Sequence, residues 1–151
     1  MLKSIQNIFS RRNQAEPDSS DPYQRELAYA SLLVEVIKSD DKFDDLERTK
    51  LLDVLSKKLN IHDDELKNFA ELAEKKSEDS TSLYEFTREI NDEYDYEGKL
   101  KLIEDLWRIA YSDGQLDKYE DYVIRKIADL IYVSHSDFIK SKLKIKNSSD
   151  R

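Results

Sequence analysis

From Pro22 onward, Leu27, Ala30, Leu33, Val34 and Ile37 recur at spacings of three and four, which marks one face of a helix of about four turns. Asp21 followed by Pro22 is a strong start signal, an N-cap with proline at the first helical position. The pattern breaks over Ser39–Lys42 and resumes from about Asp45 to Leu59, with Leu51, Val54, Leu55 and Leu59 inward. Asn60 ends that element, and Ile61-His62-Asp63 leads into a third helix carrying Leu66, Phe69, Ala70 and Ala73. Lys75 to Thr81 reads as a polar break. Ser82-x-x-Glu85 then matches a capping box ahead of Leu83, Phe86 and Ile90. After a loop at Tyr94–Gly98, Leu100, Ile103, Leu106, Trp107 and Ala110 predict another helix. A loop at Ser112–Leu116 precedes a helix with Ile124, Ile127, Ala128 and Ile131, and a short helix around Asp137–Leu143 comes last. The fold predicted is all-α, with about seven to eight helices. Residues 1–20 are assigned to an N-terminal amphipathic segment and linker, 21–146 to one helical domain, and 147–151 to a disordered tail.

Sliding the chain on itself by 73 residues exposes an internal repeat. Leu27 falls on Leu100, Ala30 on Ile103, Leu33 on Leu106, Val34 on Trp107 and Ile37 on Ala110. Ser39-Asp40-Asp41-Lys42-Phe43-Asp44-Asp45-Leu46-Glu47 lies on Ser112-Asp113-Gly114-Gln115-Leu116-Asp117-Lys118-Tyr119-Glu120, and Ser, Asp, Asp and Glu are identical at four of the nine places. The register holds without a gap through the next helix, where Leu51, Val54 and Leu55 meet Ile124, Ile127 and Ala128. Two related helix–loop–helix units packed across a shared core account for this.

Composition narrows the function. Only two glycines and two prolines occur in 151 residues, too few turn formers for a β architecture. The absence of cysteine removes disulfides, thiolate catalysis and Cys-ligated zinc, and His62 and His135 alone give no His-rich metal site. No run approaches the ~20 apolar residues of a membrane span. A net charge of −8 disfavours nucleic acid, whose binding rests on a basic face. It suits basic protein segments or divalent cations better. The expected setting is cytoplasmic, with membrane association possible through residues 1–12.

The repeated loop carries the main candidate chemistry. Asp40, Asp44 and Glu47, and again Asp113, Asp117 and Glu120, place three carboxylates at matching spacings. Carboxylate oxygens are natural ligands for Ca²⁺ or Mg²⁺. The EF-hand template fails, because the glycine at loop position 6 and the glutamate at position 12 are missing from both copies. The competing reading is structural. Asp44-x-x-Glu47 and Asp117-x-x-Glu120 have the form of capping boxes, in which Asp accepts from the third helical N–H and Glu reaches back to the cap. Capping leaves Asp40 and Asp113 unexplained, since each stands at a helix C-terminus, where negative charge is unfavourable.

Other features carry less. Tyr94-Asp95-Tyr96-Glu97 reads as a loop, Trp107 as core, and Lys140, Lys142, Lys144 and Lys146 as a solvated face. There is no glycine-rich phosphate loop and no nucleophile–base pair. Leu2, Ile5, Ile8 and Phe9 fall at helical spacing among Lys3, Arg11 and Arg12, a segment suited to a partner, to its own domain or to a membrane surface.

The stretch Leu106-Trp107-Arg108-Ile109-Ala110-Tyr111-Ser112-Asp113-Gly114-Gln115-Leu116-Asp117-Lys118-Tyr119-Glu120 resembles the hallmark of the bacterial TerB-like family, a helix ending in Ala-Asp-Gly with a Glu seven residues after the first Asp. Ser39–Glu47 is similar, with Ser39 and Ser112 in place of Ala and Asp41 in place of Gly. That family includes the tellurite-resistance protein TerB and the N-terminal domain of a membrane-anchored DnaJ-type co-chaperone. The resemblance, over about Pro22–Leu143, implies an all-α pseudo-symmetric fold without established enzymatic activity. It further implies stress-associated scaffolding, with metal at Asp40, Asp44, Glu47, Asp113, Asp117 and Glu120. The expected function is therefore a non-enzymatic stress-response or protein-interaction module with an unidentified protein partner. A peripheral membrane adaptor using residues 1–12 is the alternative, and an uncharacterised enzyme a remote one.

Overall fold

A computed structural model of the chain describes residues 22–39, 45–59, 61–112 and 114–149. Seven helices make up its regular structure: α1 (Pro22–Lys38), α2 (Asp45–Lys58), α3 (Asp63–Asp79), α4 (Tyr84–Glu93), α5 (Tyr96–Ala110), α6 (Lys118–Leu130) and α7 (His135–Ser149). The all-α expectation holds, and no strand occurs among the described residues. Leu2, Ile5, Ile8 and Phe9 lie outside them, as do Asp40, Asp44 and Asp113.

Helix α1 is the hub. Every residue from Leu27 to Val34 is buried, as are Val36 and Ile37. A helix that is apolar all round has to be enclosed, and α2 to α6 all pack on it. The repeat pairs Leu33/Leu106, Val34/Trp107 and Ile37/Ala110 are all core residues, so the two units share one interior. Helix α7 closes the far side of α5, setting Phe138 against Trp107 with ring centroids 5.3 Å apart.

Three element boundaries differ from the sequence expectation, each for a local reason. The polar run 75–79 continues α3, because buried Ser77 is held to α1 by hydrogen bonds with Glu35 and Lys38. The loop expected at Tyr94–Gly98 ends at Asp95, whose side chain accepts from the Gly98 N–H at 2.8 Å and so starts α5 at Tyr96. A Cβ on Gly98 would lie 2.8 Å from the Tyr94 ring, so glycine is what lets that ring cover the first turn. Helix α7 runs on to Ser149, well past Leu143, because Ile145 is buried and carries the apolar stripe a further turn. The capping box at Ser82 does not form. Leu83 is the N-cap residue, and Ser82 Oγ accepts only from the Tyr84 N–H at 3.3 Å.

Candidate functional site

The repeated turns join α1 to α2 and α5 to α6. At the second, Gly114 adopts φ +83°, a left-handed conformation open to glycine at little cost, and its N–H donates to the Tyr111 carbonyl at 2.9 Å. Asp117 then caps α6, accepting through Oδ1 from the Tyr119 N–H at 2.7 Å. That donor is the second helical N–H, one residue earlier than expected. Glu47 and Glu120 are the third residues of α2 and α6, and both are buried, 5% and 3% exposed. Two carboxylates are thus withdrawn from water at equivalent positions, which is costly unless their surroundings compensate. Among the described residues, no three His, Cys, Asp or Glu side chains gather closely enough to hold a metal ion. Asp113, the third carboxylate of the sequence pattern, lies outside the described residues. A groove of about 280 Å³ beside this turn is lined by Lys50, Arg108, Tyr111, Ser112 and Gly114.

A second cluster, missed by the sequence reading, ties the two units together. The Tyr29 hydroxyl donates to Asp105 Oδ2 at 2.5 Å, and Arg108 Nη1 donates to Asp105 Oδ1 at 2.6 Å. Lys58 Nζ lies 4.1 Å from the centre of the Tyr29 ring, 4.9 Å from that of Tyr94 and 3.7 Å from Glu26 Oε2. Burial pushes the Glu26 carboxyl up, against the pull of Lys58 and Arg25. It pulls the Lys58 ammonium down, against the pull of Glu26 and Asp105. Burial, and then the Asp105 charge, raise Tyr29 well above the ordinary phenol range, so its hydroxyl stays a donor. The repeat offset carried a signal for this cluster: Tyr29 aligns with Leu102 and Asp105 with Leu32, all four buried. Each unit thus sets a buried polar side chain opposite a buried leucine of the other, and the two polar side chains meet.

Ser77 donates to Glu35 Oε1 at 2.7 Å and accepts from Lys38 Nζ at 2.8 Å, yet it is only 1% exposed and closed to a substrate. Lys142, expected on a solvated face, instead donates to Asp121 Oδ2 at 2.8 Å and lies over the Trp107 ring. The Tyr96 hydroxyl donates to Asp137 Oδ2 at 2.6 Å and accepts from the Ser134 N–H at 3.2 Å. Hydrogen bonds from Tyr96 first, and then from the Ser134 side chain, hold the Asp137 carboxyl below the ordinary range. The stabilisation from this contact is therefore complete above the ordinary Asp pKa of about 3.9 and disappears as pH falls through the lowered value. Tyr96→Phe should lower stability at neutral pH, leave strongly acid pH little changed, and so shallow the acid limb of a stability-versus-pH profile.

No described helix is long and apolar enough to cross a membrane. The family model described as tellurite resistance protein TerB matches residues 26–143, from the second turn of α1 into α7. The chain belongs to the TerB family. The matched range takes in both repeated turns and the Tyr29–Asp105 tie, so the TerB unit of this chain is the whole two-unit core. No curated protein and no solved structure gave a match.

Proposed function

We propose that this TerB-family chain is a non-enzymatic interaction module of the stress-response type, and that its two acidic helix–loop–helix turns hold a divalent cation of the Ca²⁺ or Mg²⁺ class. The observation that carries the reading is the matched burial of Glu47 and Glu120. Both carboxylates already have interactions within the fold, and their matched placement at the third residue of α2 and α6 sets acidic oxygens at equivalent places in the two units. Asp117 spends one oxygen on its cap and keeps the other available. Asp113 supplies the third carboxylate, and waters complete the shell, so binding is weak. The cation's part is electrostatic: it fixes the turn that a protein partner reads.

The test is thermal melting with and without millimolar Ca²⁺ or Mg²⁺. The ion should raise the melting temperature of the parent by linkage. Asp113→Asn should abolish that rise while the ion-free protein stays folded. Asp117→Ala should cost about 0.5–2 kcal/mol even without ion, as a lost cap. A parent curve unmoved by either ion leaves Asp117 as a cap alone and removes the cation from the proposal.

A further inference from the structure

Helix α6 ends in a Schellman turn. The Val133 N–H donates to the Ala128 carbonyl at 3.0 Å and the Tyr132 N–H to that of Asp129 at 3.2 Å. The residue between these closures must adopt a left-handed conformation, the position where glycine is the usual choice. Here it is Tyr132, at φ +63°, the one non-glycine residue with positive φ among those described. A side chain with a Cβ is strained there. The fold gains little from this side chain, because Tyr132 is 77% exposed and the Lys99 ammonium stays 5.9 Å from its ring centre. A bulky aromatic has been placed where the backbone asks for glycine, and its ring is left in water.

Tyr132 borders a groove of about 420 Å³ between α4 and the end of α6. Tyr84 forms another wall and is 63% exposed. Asn91 Nδ2 donates to the Leu130 carbonyl at 3.0 Å and pins the strained turn to α4. One heptad before Asp129, Tyr122 is 64% exposed and extends the aromatic face along α6. The groove also holds Arg88, Asp92 and Asp129. All three are exposed, and among the described residues none makes a side-chain hydrogen bond or ion pair. Arg88 and Asp92 stand one helical turn apart on α4, yet they do not pair.

We infer that the α4–α6 face, centred on Tyr132, is a self-association surface that pairs with a second copy of this chain about a two-fold axis. The reason for a second copy is charge. A partner of one sign would satisfy either Arg88 or the two aspartates and repel the other. A two-fold copy brings Arg88 against the other copy's Asp92 and Asp129 and the reverse, so one patch satisfies itself. Tyrosine and arginine are also the residue types enriched where protein interfaces concentrate their binding energy. The strain at Tyr132 is then offset in the dimer, where its ring leaves water.

The experiment is sedimentation velocity on the full chain over a concentration series. The parent should show a concentration-dependent monomer–dimer equilibrium. Tyr132→Gly should raise the dimer dissociation constant about tenfold or more, with an unchanged or raised melting temperature, since glycine suits this turn. Arg88→Glu and the double variant Asp92→Arg/Asp129→Arg should each be monomeric alone, because each makes the patch one-signed. Mixed together, they should form a heterodimer, because a two-fold interface matches each reversed charge with its opposite. A parent that stays monomeric at every concentration overturns the inference. So does a dimer indifferent to Tyr132→Gly and to both charge reversals, since its copies would then meet elsewhere.

Discussion

Asp105→Ala is expected to destabilise the protein by about 3 kcal/mol, read as a lowered urea midpoint with an unchanged slope. The substitution strands the Tyr29 hydroxyl, fully buried and donating to Asp105 at 2.5 Å, and takes the carboxylate from Arg108. An unmet buried hydroxyl carries the larger cost, because Arg108 is partly exposed and also reaches Glu104 at 3.5 Å. The repeat provides a sharper form of the test. Leu102 stands where Tyr29 would fall and Leu32 where Asp105 would, so the fold already accepts leucine at the equivalent sites. Tyr29→Leu/Asp105→Leu should therefore recover much of the loss that either single change produces, with a coupling of at least about 1 kcal/mol in the double-mutant cycle. Strictly additive single effects would mean that the two residues act independently.

The second large effect is expected at Trp107. Trp107→Ala should cost about 3–5 kcal/mol, the range for emptying a large aromatic site in a core. The indole is fully buried between Phe138, 5.3 Å away, and Tyr111, 6.1 Å away, with the Lys142 ammonium 5.3 Å from its ring centre. One substitution thus loosens both the α5–α7 contact and the Lys142–Asp121 bridge from α7 to α6. Far-UV circular dichroism should follow the melt, since Trp107 is the only tryptophan and its removal abolishes indole fluorescence. Trp107→Phe, which keeps most of the volume and the aromatic edge contacts, should lose much less.

The helices were legible because their buried faces are nearly pure stripes, and each apolar position cited for the seven elements falls within or beside its helix. The ends were less legible, because they depend on contacts distant in sequence. Ser77 continues α3 through hydrogen bonds to residues about forty positions earlier, and nothing local in the run 75–79 announces them. Asp95 and Gly98 both fell inside the stretch read as a loop, yet Asp95 caps α5 and Gly98 lies in its first turn. Only the Tyr94 ring lying over it reveals a helical glycine. At the acidic turns, Asp117 as a cap could be read from spacing alone. The burial of Glu47 and Glu120 could not, because solvent exposure at the third residue of a helix is set by what packs over it. The Tyr29–Asp105 pair lies between these cases. Its signal was present in the repeat offset as two polar residues, each opposite a leucine, but only side-chain geometry turns the two mismatches into one contact.

The enclosure of α1 on every side also has a consequence during synthesis. The chain leaves the ribosome N-terminus first, so α1 emerges before any of the helices that cover it, and α5 follows 73 residues behind. At about 5–20 residues per second, that gap lasts roughly 4–15 s. Throughout it, the Leu27–Ile37 stretch, which tolerates almost no water contact in the finished protein, has only α2 to α4 to shelter it. The nascent first half is therefore where this protein should lean hardest on holding factors, and the arrival of Asp105 opposite Tyr29 marks the end of that dependence.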